Sequence, residues 1–357
     1  MTPEETEPPG PRLRREEALT LLRQTPLLEL GRRAFDRKRA RYGDCVTYVR
    51  NRHVNPTNLC VYSCKFCDFA AKKGDEHAYL LSEEEVLGSL ADPDLRETHI
   101  VGGLWPKWGF DRSIALVRRI RAARPDLYIK AFTAVEVAYF ARMERTDVES
   151  VLRAMIDAGV DLMPGGGAEV LSERVHRELF PDKIGPEEWL KIHEKAHCLG
   201  LPSNATLLFG HTETDEETVD HLLRIRDLED RAPGFQSFVP LAYQPGTTQV
   251  APRPASAPRC LRIMALARLA LDNVPHIKAY TPALGVETAV AALTFGADDL
   301  DGTLGQERIM QLAGTASPAS LTAQLMDRMI RQAGQAPVER DGLFRPVRGE
   351  TAQLVSV

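Results

Sequence analysis

Cys60, Cys64 and Cys67 lie close together in the segment NLCVYSCKFCDF, where they are spaced C-x₃-C-x₂-C. Thiolates are the ligands of iron–sulfur clusters, and a cubane held at all four irons needs four of them. The other cysteines of the chain lie far from this segment, at positions 45, 198 and 260. Three thiolates would leave one iron open, and an open iron can bind a small molecule and pass it an electron.

The spacing differs from that of other common cysteine sites. Bacterial ferredoxins use C-x₂-C-x₂-C and plant-type ferredoxins use C-x₄-C-x₂-C, each with a further cysteine. A structural zinc site would need a fourth ligand, for which His53 and His77 are the nearest histidines. A zinc site and three unrelated core cysteines both stay open as alternatives.

Phe66 stands directly before the third cysteine, which completes a C-x₃-C-x-Φ-C pattern with an aromatic Φ. This pattern resembles the signature of the radical S-adenosylmethionine (SAM) superfamily. The resemblance implies a [4Fe–4S] cluster ligated by Cys60, Cys64 and Cys67, with SAM at the open iron. It also implies one-electron reduction of the sulfonium, which releases methionine and a 5′-deoxyadenosyl radical.

A longer series of segments resembles the aminofutalosine synthase family of the futalosine route to menaquinone, from about residue 45 to residue 340. The segments include NPTNLCVYSCKFCDF, THIVGGLWP, MPGGGAEVLSERV, SNATLLFGHTET and FGADDLDGT. The resemblance implies a transferase that adds the radical to the vinyl carbon of 3-[(1-carboxyvinyl)oxy]benzoate. The products would be 6-amino-6-deoxyfutalosine (aminofutalosine), methionine and bicarbonate, so that SAM is consumed as a co-substrate.

Three alternatives to this activity remain open at this point. Two are related radical enzymes, the dehypoxanthine futalosine cyclase of the same pathway and the tyrosine-using synthases of deazaflavin biosynthesis. The third is a zinc-stabilised binding protein that uses the same cysteines without catalysis. Iron and sulfide analysis would separate the third from the others.

The superfamily resemblance also implies residues that bind SAM. Phe66 would pack near the adenine, and the Gly102-Gly103 pair would offer backbone groups to the methionine amino group. Glu169 would accept hydrogen bonds from the ribose hydroxyls, as suits a carboxylate. Arg174 would pair with a carboxylate. Glu169 could instead be a helix N-terminal acid, and Arg174 a solvated surface arginine.

The implied second substrate carries two carboxylates, which need cations or strong hydrogen-bond donors. The candidates at strand ends are His53, Lys130, His211 and Lys278. Each of them could instead be structural, as a paired strand lysine or a satisfied histidine. Acids that could accept hydrogen bonds or protons near the ligand are Glu136 and Asp298, although Asp298 and Asp299 could also anchor loops. The candidate catalytic residues are therefore His53, Glu136 and His211.

Two residues depart from the family pattern. Asp68 follows the third cysteine, where alanine is usual, and Trp105 stands in GGLWP, where histidine is usual. A carboxylate beside a cluster thiolate would lower the cluster's potential if exposed to it, and loss of a histidine would remove one possible donor to the substrate. Because the three cysteines and the glycine pair are intact, radical initiation is expected to survive.

Strands and helices must alternate to bring these residues together. Short apolar strands followed by helical patterns predict an α/β protein, a (β/α)₈ TIM-type barrel of the radical SAM kind. Eight strands are expected, near Tyr48, Ile100, Ile129, Leu162, Leu207, Phe238, Ile277 and Phe295. Capping boxes at Ser82 and Thr214 predict helix starts there. Because barrel sites lie at the carboxyl ends of the strands, the cysteines, the glycine runs and the polar candidates are expected at one mouth.

The expected organisation is one barrel domain with tails. Residues 1–16 are expected to be a disordered tail and residues 17–340 a single radical SAM domain that opens with a helix over 17–42. The segment after about residue 335 is expected to be irregular, and residues 341–357 to form a C-terminal tail. A chain of 357 residues with 43% hydrophobic content is long enough to bury a large core.

Composition limits the partners and the compartment. The net charge is −5 with no basic block, which argues against nucleic acid. No apolar run reaches membrane-spanning length, and the N-terminus is not signal-like, so a cytoplasmic protein with free thiols is expected. The expected partners are a small dicarboxylate aryl enol ether and a reducing electron donor such as flavodoxin or ferredoxin.

Overall fold

The computed structural model describes residues 12–248, 250–251, 253–302, 308–315 and 321–347. Two helices open it, α1 (Arg15–Arg23) and α2 (Leu27–Tyr42). The single helix predicted over 17–42 is therefore wrong. Pro26 caps α2, and a helix cannot run through a proline because the ring removes a backbone donor and clashes with the preceding turn.

The N-terminal boundary also lies earlier than predicted. Arg12 pairs with Asp230 at 2.7 Å and with Asp272 at 2.6 Å, and α1 begins at Arg15, so residues 12–16 have defined contacts. The rest of the predicted N-terminal tail and most of the predicted C-terminal tail lie outside the described residues. The assignment of residues 17–340 to one domain stays a prediction.

Nine strands occur among the described residues, and every pairing between them is parallel. One sheet has the order β5-β6-β7-β8-β1-β9, and a second has the order β2-β3-β4. The strands are β1 (Cys45–Tyr48), β2 (Asn51–Val54), β3 (Glu97–Ile100), β4 (Tyr128–Ala131), β5 (Ser203–Phe209), β6 (Phe235–Ala242), β7 (His276–Tyr280), β8 (Asp299–Asp301) and β9 (Ala336–Glu339).

Helices follow most of these strands, as a βα repeat requires. Capping boxes start the helices at Ser82 and Thr214 as predicted. The helices after α2 are α3 (Glu83–Ser89), α4 (Phe110–Ala123), α5 (Ala134–Met143), α6 (Val148–Ala158), α7 (Glu173–Leu179), α8 (Pro186–Cys198), α9 (Asp215–Arg231), α10 (Ala257–Ala270), α11 (Thr281–Leu284), α12 (Val286–Ala292), α13 (Arg308–Leu312) and α14 (Ala323–Gln332).

The two sheets are connected at both ends. Parallel bridges from Lys130 to Leu162 and from Met163 to Ser203 link β4 to β5. At the other end β1 pairs with β8, and the chain then runs into β2, which pairs with β3. The strand order is thus that of an eight-stranded α/β barrel in which the first strand changes partners between its halves.

Three of the predicted strands and one segment predicted to be irregular need correction. The first is divided into β1 and β2, and the fourth is reduced to the bridges at Leu162 and Met163. The eighth begins at Asp299, because Phe295 closes a turn after α12, where its amide bonds the Ala292 carbonyl. The segment after residue 335 is not irregular: β9 pairs with β1 over four residues.

Buried ion pairs connect the strands inside the barrel. Lys130 on β4 bonds Glu97 on β3 at 2.7 Å. Asp299 on β8 receives two hydrogen bonds from Arg340, at 2.7 and 2.9 Å, and lies 3.2 Å from Lys278 on β7. Removing one partner of such a pair costs about 3–5 kcal/mol because the other charge is left buried and unpaired, so a strand order that separated these partners would be disfavoured.

The apolar core surrounds this polar centre and fills the space between the strands and the outer helices. Within the described part of the chain, no helix combines the length and the apolar character needed to cross a bilayer.

Candidate active site

The loop after β2 carries the three cysteines, and backbone hydrogen bonds hold it in place. The amide of Cys60 donates to Ala71, that of Val61 to Leu104, and that of Lys65 to Leu179, at 2.8–3.0 Å. Cys60, Cys64 and Cys67 are each partly exposed. All three line one cavity of about 340 Å³, which lies within the range of small-molecule sites.

Burial dominates the electrostatics of two of these thiols. It raises the pKa of Cys64 to about 11 and also raises the pKa of Cys67, while the positive charge of Lys183 lowers both in part. Both thiols therefore stay protonated at neutral pH unless a metal displaces the proton. Binding of a metal or cluster here would release protons, as is general for thiolate sites.

Nowhere in the described part of the chain do three or more Cys, His, Asp or Glu side chains converge on a point where one metal ion would sit. A cubane takes its thiolates at separate irons, and all three thiols line the same cavity.

Gly102 and Gly103 lie directly after β3 and line the same cavity. A Cβ atom on Gly103 would lie 2.2 Å from the Leu59 carbonyl oxygen, well inside van der Waals contact. The glycine pair therefore lets β3 pack against the start of the cysteine loop. The Gly103 amide donates to Thr57 at 2.8 Å, which fixes the same approach.

Glu136 is a buried carboxylate in the first turn of α5, and it faces the cavity. It accepts hydrogen bonds from the Thr133 amide at 2.7 Å and from the Gly102 amide at 3.2 Å. Burial raises its pKa to about 7, although these hydrogen bonds lower it in part. Glu136 can therefore change its charge near neutral pH beside the glycine pair.

Glu169 follows the Gly165–Gly167 run and holds a left-handed backbone, with φ of 50°. Such a conformation is costly for a non-glycine residue and often accompanies a functional site. Its carboxylate lies 2.5 Å from the ammonium of Lys183, and both side chains are largely buried, 11% and 15% exposed. Both line the cavity.

Lys183 also lies over two aromatic rings. Its ammonium is 5.0 Å from the centroid of Phe66 and 5.6 Å from that of Phe180. Burial lowers the pKa of Lys183, but the negative charge of Glu169 and its hydrogen bond to the ammonium raise that pKa by a larger amount, and the net shift is upward. Lys183 is therefore a permanent cation next to the cysteine loop.

A second polar group in the cavity consists of His53, His99, Lys130, Lys278 and Tyr280. His53 Nε2 and His99 Nδ1 lie 3.4 Å apart, and the rings of His53 and Tyr280 stack at 5.9 Å. Burial and the charges of His53, Lys130 and Lys278 hold the pKa of His99 well below its usual value. His99 therefore stays neutral.

Three residues predicted for the site lie elsewhere, in contacts that explain their positions. The side chain of His211 is fully buried, and its ring contacts the Leu208 carbonyl and the Thr212 amide. Arg174 pairs with Glu217 and Glu178 on the surface. Asp298 pairs with Arg268 and with His276.

The two departures from the family pattern have different surroundings. Asp68 lines the cavity and hydrogen-bonds Thr247 in the loop after β6. Trp105 lines a small pocket beside Gly102, Gly103 and Glu136. Neither residue displaces the cysteines or the glycine pair.

Sequence reasoning missed Lys183 and His99. Lys183 lies between two helices rather than after a strand, so the expectation that barrel sites lie at the carboxyl ends of strands gave no reason to select it. His99 lies inside the THIVGG strand, where alternation places it on the same side as Val101 and toward the barrel interior. That alternation was the one available signal.

Comparison with known proteins identifies the family. The model of the radical SAM superfamily matches residues 54–225, and that of the CofH/MqnC C-terminal region matches residues 232–350. An aminodeoxyfutalosine synthase of Thermus thermophilus is 42% identical over 95% of this chain and 93% of its own length. The chain belongs to the radical SAM superfamily.

Within this superfamily, other relatives are similar to a lesser degree. A cyclic dehypoxanthine futalosine synthase of Streptomyces coelicolor is 38% identical, over 93% of this chain and 84% of its own. A 5-amino-6-(D-ribitylamino)uracil–L-tyrosine 4-hydroxyphenyl transferase of Methanosarcina acetivorans is 36% identical, over 95% of this chain and 92% of its own. The predicted resemblance to aminofutalosine synthases is confirmed, with close relatives of other activity.

The solved structure of methylornithine synthase has the same fold, with a TM-score of 0.73 at 17% identity over 92% of this chain and 95% of that one. The radical SAM barrel predicted from the sequence is confirmed at this level. The chain is a radical SAM enzyme that transfers an alkyl group, and its superfamily implies a [4Fe–4S] cluster and SAM.

Proposed function

We propose that this radical SAM enzyme is an aminodeoxyfutalosine synthase. It would join the 5′-deoxyadenosyl group of SAM to 3-[(1-carboxyvinyl)oxy]benzoate and release methionine and bicarbonate. The observation that carries the proposal is that one cavity holds both the three-cysteine loop and the group of two histidines and two lysines. The 42% identity to an enzyme of that name supports the choice of substrate.

The chain's residues fit the cluster that the superfamily implies. Cys60, Cys64 and Cys67 would ligate it, because their thiols line one cavity and the cation of Lys183 lies beside them. When bound, the cluster supplies the electron that cleaves SAM into methionine and the 5′-deoxyadenosyl radical. The protein's task is to orient SAM and the second substrate and to keep water away from them.

The SAM-binding residues proposed are those on the cysteine side of the cavity. Gly102 and Gly103 would approach the methionine amino group, with the Glu136 carboxylate beside them. Glu169 would accept hydrogen bonds from the ribose, and Phe66 would pack near the adenine. Arg174 is not proposed, because both of its ion pairs hold it on the surface.

The second substrate would bind at the polar group of His53, His99, Lys130, Lys278 and Tyr280. Because His99 is neutral, its ring would donate a hydrogen bond to a carboxylate rather than form an ion pair. Lys130 and Lys278 already contact Glu97 and Asp301, so their charges are partly compensated. Of the candidate catalytic residues, His53 and Glu136 keep that role in the proposal, and His211 loses it.

An anaerobic assay tests the proposal. Reconstituted protein is incubated with reductant, SAM and the enolpyruvyl benzoate, and the expected product is aminodeoxyfutalosine. The outcome that contradicts the proposal is formation of 5′-deoxyadenosine alone, which would favour a hydrogen-abstracting relative. Parallel incubations with dehypoxanthine futalosine, and with tyrosine plus 5-amino-6-(D-ribitylamino)uracil, test the two related activities directly.

Metal analysis tests the cluster separately. A [4Fe–4S] protein should carry about four irons and four sulfides per chain and be brown. A colourless protein with one zinc would support the binding-protein alternative. Alanine at Cys64 should abolish both iron loading and product formation.

The proposed setting follows the family. The electron donor would be a small redox protein such as flavodoxin or ferredoxin, and the enzyme would act in the cytoplasm. A pull-down of iron-loaded protein against purified flavodoxin, followed by measurement of cluster reduction, tests the donor.

A further inference from the structure

The turn between α7 and α8, residues 180–183, is attached to the cysteine loop. The Ser63 amide donates to the Asp182 carboxylate at 3.1 Å, and the Lys65 amide donates to the Leu179 carbonyl, at the end of α7, at 2.8 Å. The rings of Phe66 and Phe180 meet edge to face at 5.8 Å. These contacts place Lys183, the last residue of the turn, at a fixed position relative to the cysteines.

Contacts of the Lys183 backbone also fix the position of this residue. Its amide donates to the Phe180 carbonyl at 3.1 Å, and its carbonyl lies 3.0 Å from His176 Nε2. The side chain then runs over the faces of Phe66 and Phe180, where the ring quadrupoles favour a cation. A long, flexible side chain is thereby restricted to one direction, toward the cavity and Glu169.

We infer that Lys183 is a positioning residue that orients Glu169 for SAM and raises the reduction potential of the cluster. This inference rests on the proposed cluster and SAM site. The ammonium lies 2.5 Å from one Glu169 oxygen, which leaves the other oxygen to accept from a ribose. The same cation acts on the thiolates of Cys64 and Cys67.

The effect on potential has a definite sign. Reduction adds negative charge to the cluster, and a nearby cation stabilises the reduced state more than the oxidised one. Net charge around a cluster is one of the factors that set its potential. Lys183 should therefore make the cluster easier to reduce, and Glu169, whose charge also acts on Cys64, should make it harder.

Charge variants test this inference in reconstituted, SAM-free protein by redox titration followed by electron paramagnetic resonance. Lys183→Met should shift the potential to a more negative value, and Glu169→Gln should shift it to a more positive one. Lys183→Arg should stay close to wild type because it keeps the charge. Lys191→Met, which removes an exposed lysine of α8 that does not line the cavity, is the control and should leave the potential unchanged.

SAM affinity gives the second readout. Lys183→Met should weaken SAM binding about tenfold, the size expected for loss of one charge-assisted hydrogen bond that orients Glu169. Lys183→Arg should restore most of it. A merely structural role for Lys183 would not produce opposite potential shifts in Lys183→Met and Glu169→Gln.

Two outcomes would overturn the inference: an unchanged potential in Lys183→Met, or an equal shift in Lys183→Arg. If Lys183→Met fails to load iron, two other measurements test the inference. They are the difference in potential between Lys183→Arg and Lys183→Gln, and the sign of the potential shift in Glu169→Gln. The proposed function fails differently, through wild-type protein that takes up no cluster or makes no product.

Discussion

The Asp68 carboxylate accepts a hydrogen bond from the Thr247 amide at 3.2 Å and another from the Thr247 hydroxyl. Asp68 directly follows the third cysteine, and Thr247 lies in the loop after β6. The contact joins two loops that border the same cavity. A Cβ atom on Gly246, whose φ is 46°, would lie 2.0 Å from the same carboxylate, so the approach depends on glycine.

Asp68→Ala should loosen the loop after β6. We expect faster amide hydrogen exchange at Gln244 and at residues 246–248, and a small loss of stability, about 1 kcal/mol or less, because the contact is exposed. Asp75→Ala is the control, since Asp75 bonds the Lys72 amide within its own loop. Unchanged exchange at these amides in Asp68→Ala would show that the contact does not restrain this loop.

Gly103→Ala should disturb the cysteine loop. Its Cβ would meet the Leu59 carbonyl, and overpacking of this kind typically costs about 1–3 kcal/mol. Gly88→Ala is the matched control, because nothing lies within 4 Å of its Cβ position in α3, and it should stabilise the helix by about 0.5–1 kcal/mol. Thermal unfolding and iron content measure both. Normal iron content and stability in Gly103→Ala would contradict this account of the packing.

SAM affinity should depend on the charge of Glu136. Since burial raises its pKa to about 7, the group is protonated below that pH and negative above it, so attraction for the methionine ammonium appears as pH rises from 6 to 8. Affinity should rise by no more than about tenfold per pH unit, the limit for one proton. Glu136→Gln should flatten this dependence in a calorimetric titration. A profile identical to wild type would exclude Glu136 as its source.

Acid should destabilise the protein through a buried histidine. His221 Nδ1 accepts a hydrogen bond from the Leu171 amide, and burial lowers its pKa to about 3. Between that value and the usual 6.5 the unfolded state binds a proton that the folded state does not. The free energy of unfolding should therefore fall by about 1.4 kcal/mol per pH unit below pH 6.5 for this residue.

Urea unfolding of iron-free protein at several pH values measures this effect. His221→Gln should remove one proton from the pH dependence, whereas the same change at His77, an exposed histidine, should not. His193 and His197 also have lowered pKa values owing to burial, so some acid sensitivity should remain in His221→Gln. An equal slope in His221→Gln and wild type would contradict the assignment.

The sequence was most informative where the residue type itself is chemically constrained. The cysteines and the glycine pair were expected at one mouth of the barrel, and they line one cavity. They could be selected from the sequence because thiolate ligation and close backbone approach admit few other residue types. Placement after a strand was a weaker guide. His211 follows β5 but bonds the nearby Leu208 carbonyl instead of reaching the cavity. Asp298 was expected after the eighth strand but directly precedes β8, where it pairs with Arg268.

What could not be predicted depends on contacts between distant segments. Lys183 reaches the cavity only because α7 packs against the cysteine loop, more than 100 residues earlier in the chain. The pairing of β9 with β1 joins residues 336–339 to residues 45–48. Neither contact is signalled by a sequence pattern in the segments that form it. The division of the first strand into β1 and β2 also depends on distant segments, because β1 pairs with β8 and β2 pairs with β3.

The position of Arg340 has a consequence for biosynthesis. Its guanidinium neutralises Asp299 at the centre of the barrel, yet it is synthesised 41 residues after Asp299. Among the described residues, the other cation paired with Asp299 is Lys278, which also pairs with Asp301. The centre of the barrel should therefore reach its final stability only after β9 and Arg340 have left the ribosome and packed against β1 and β8.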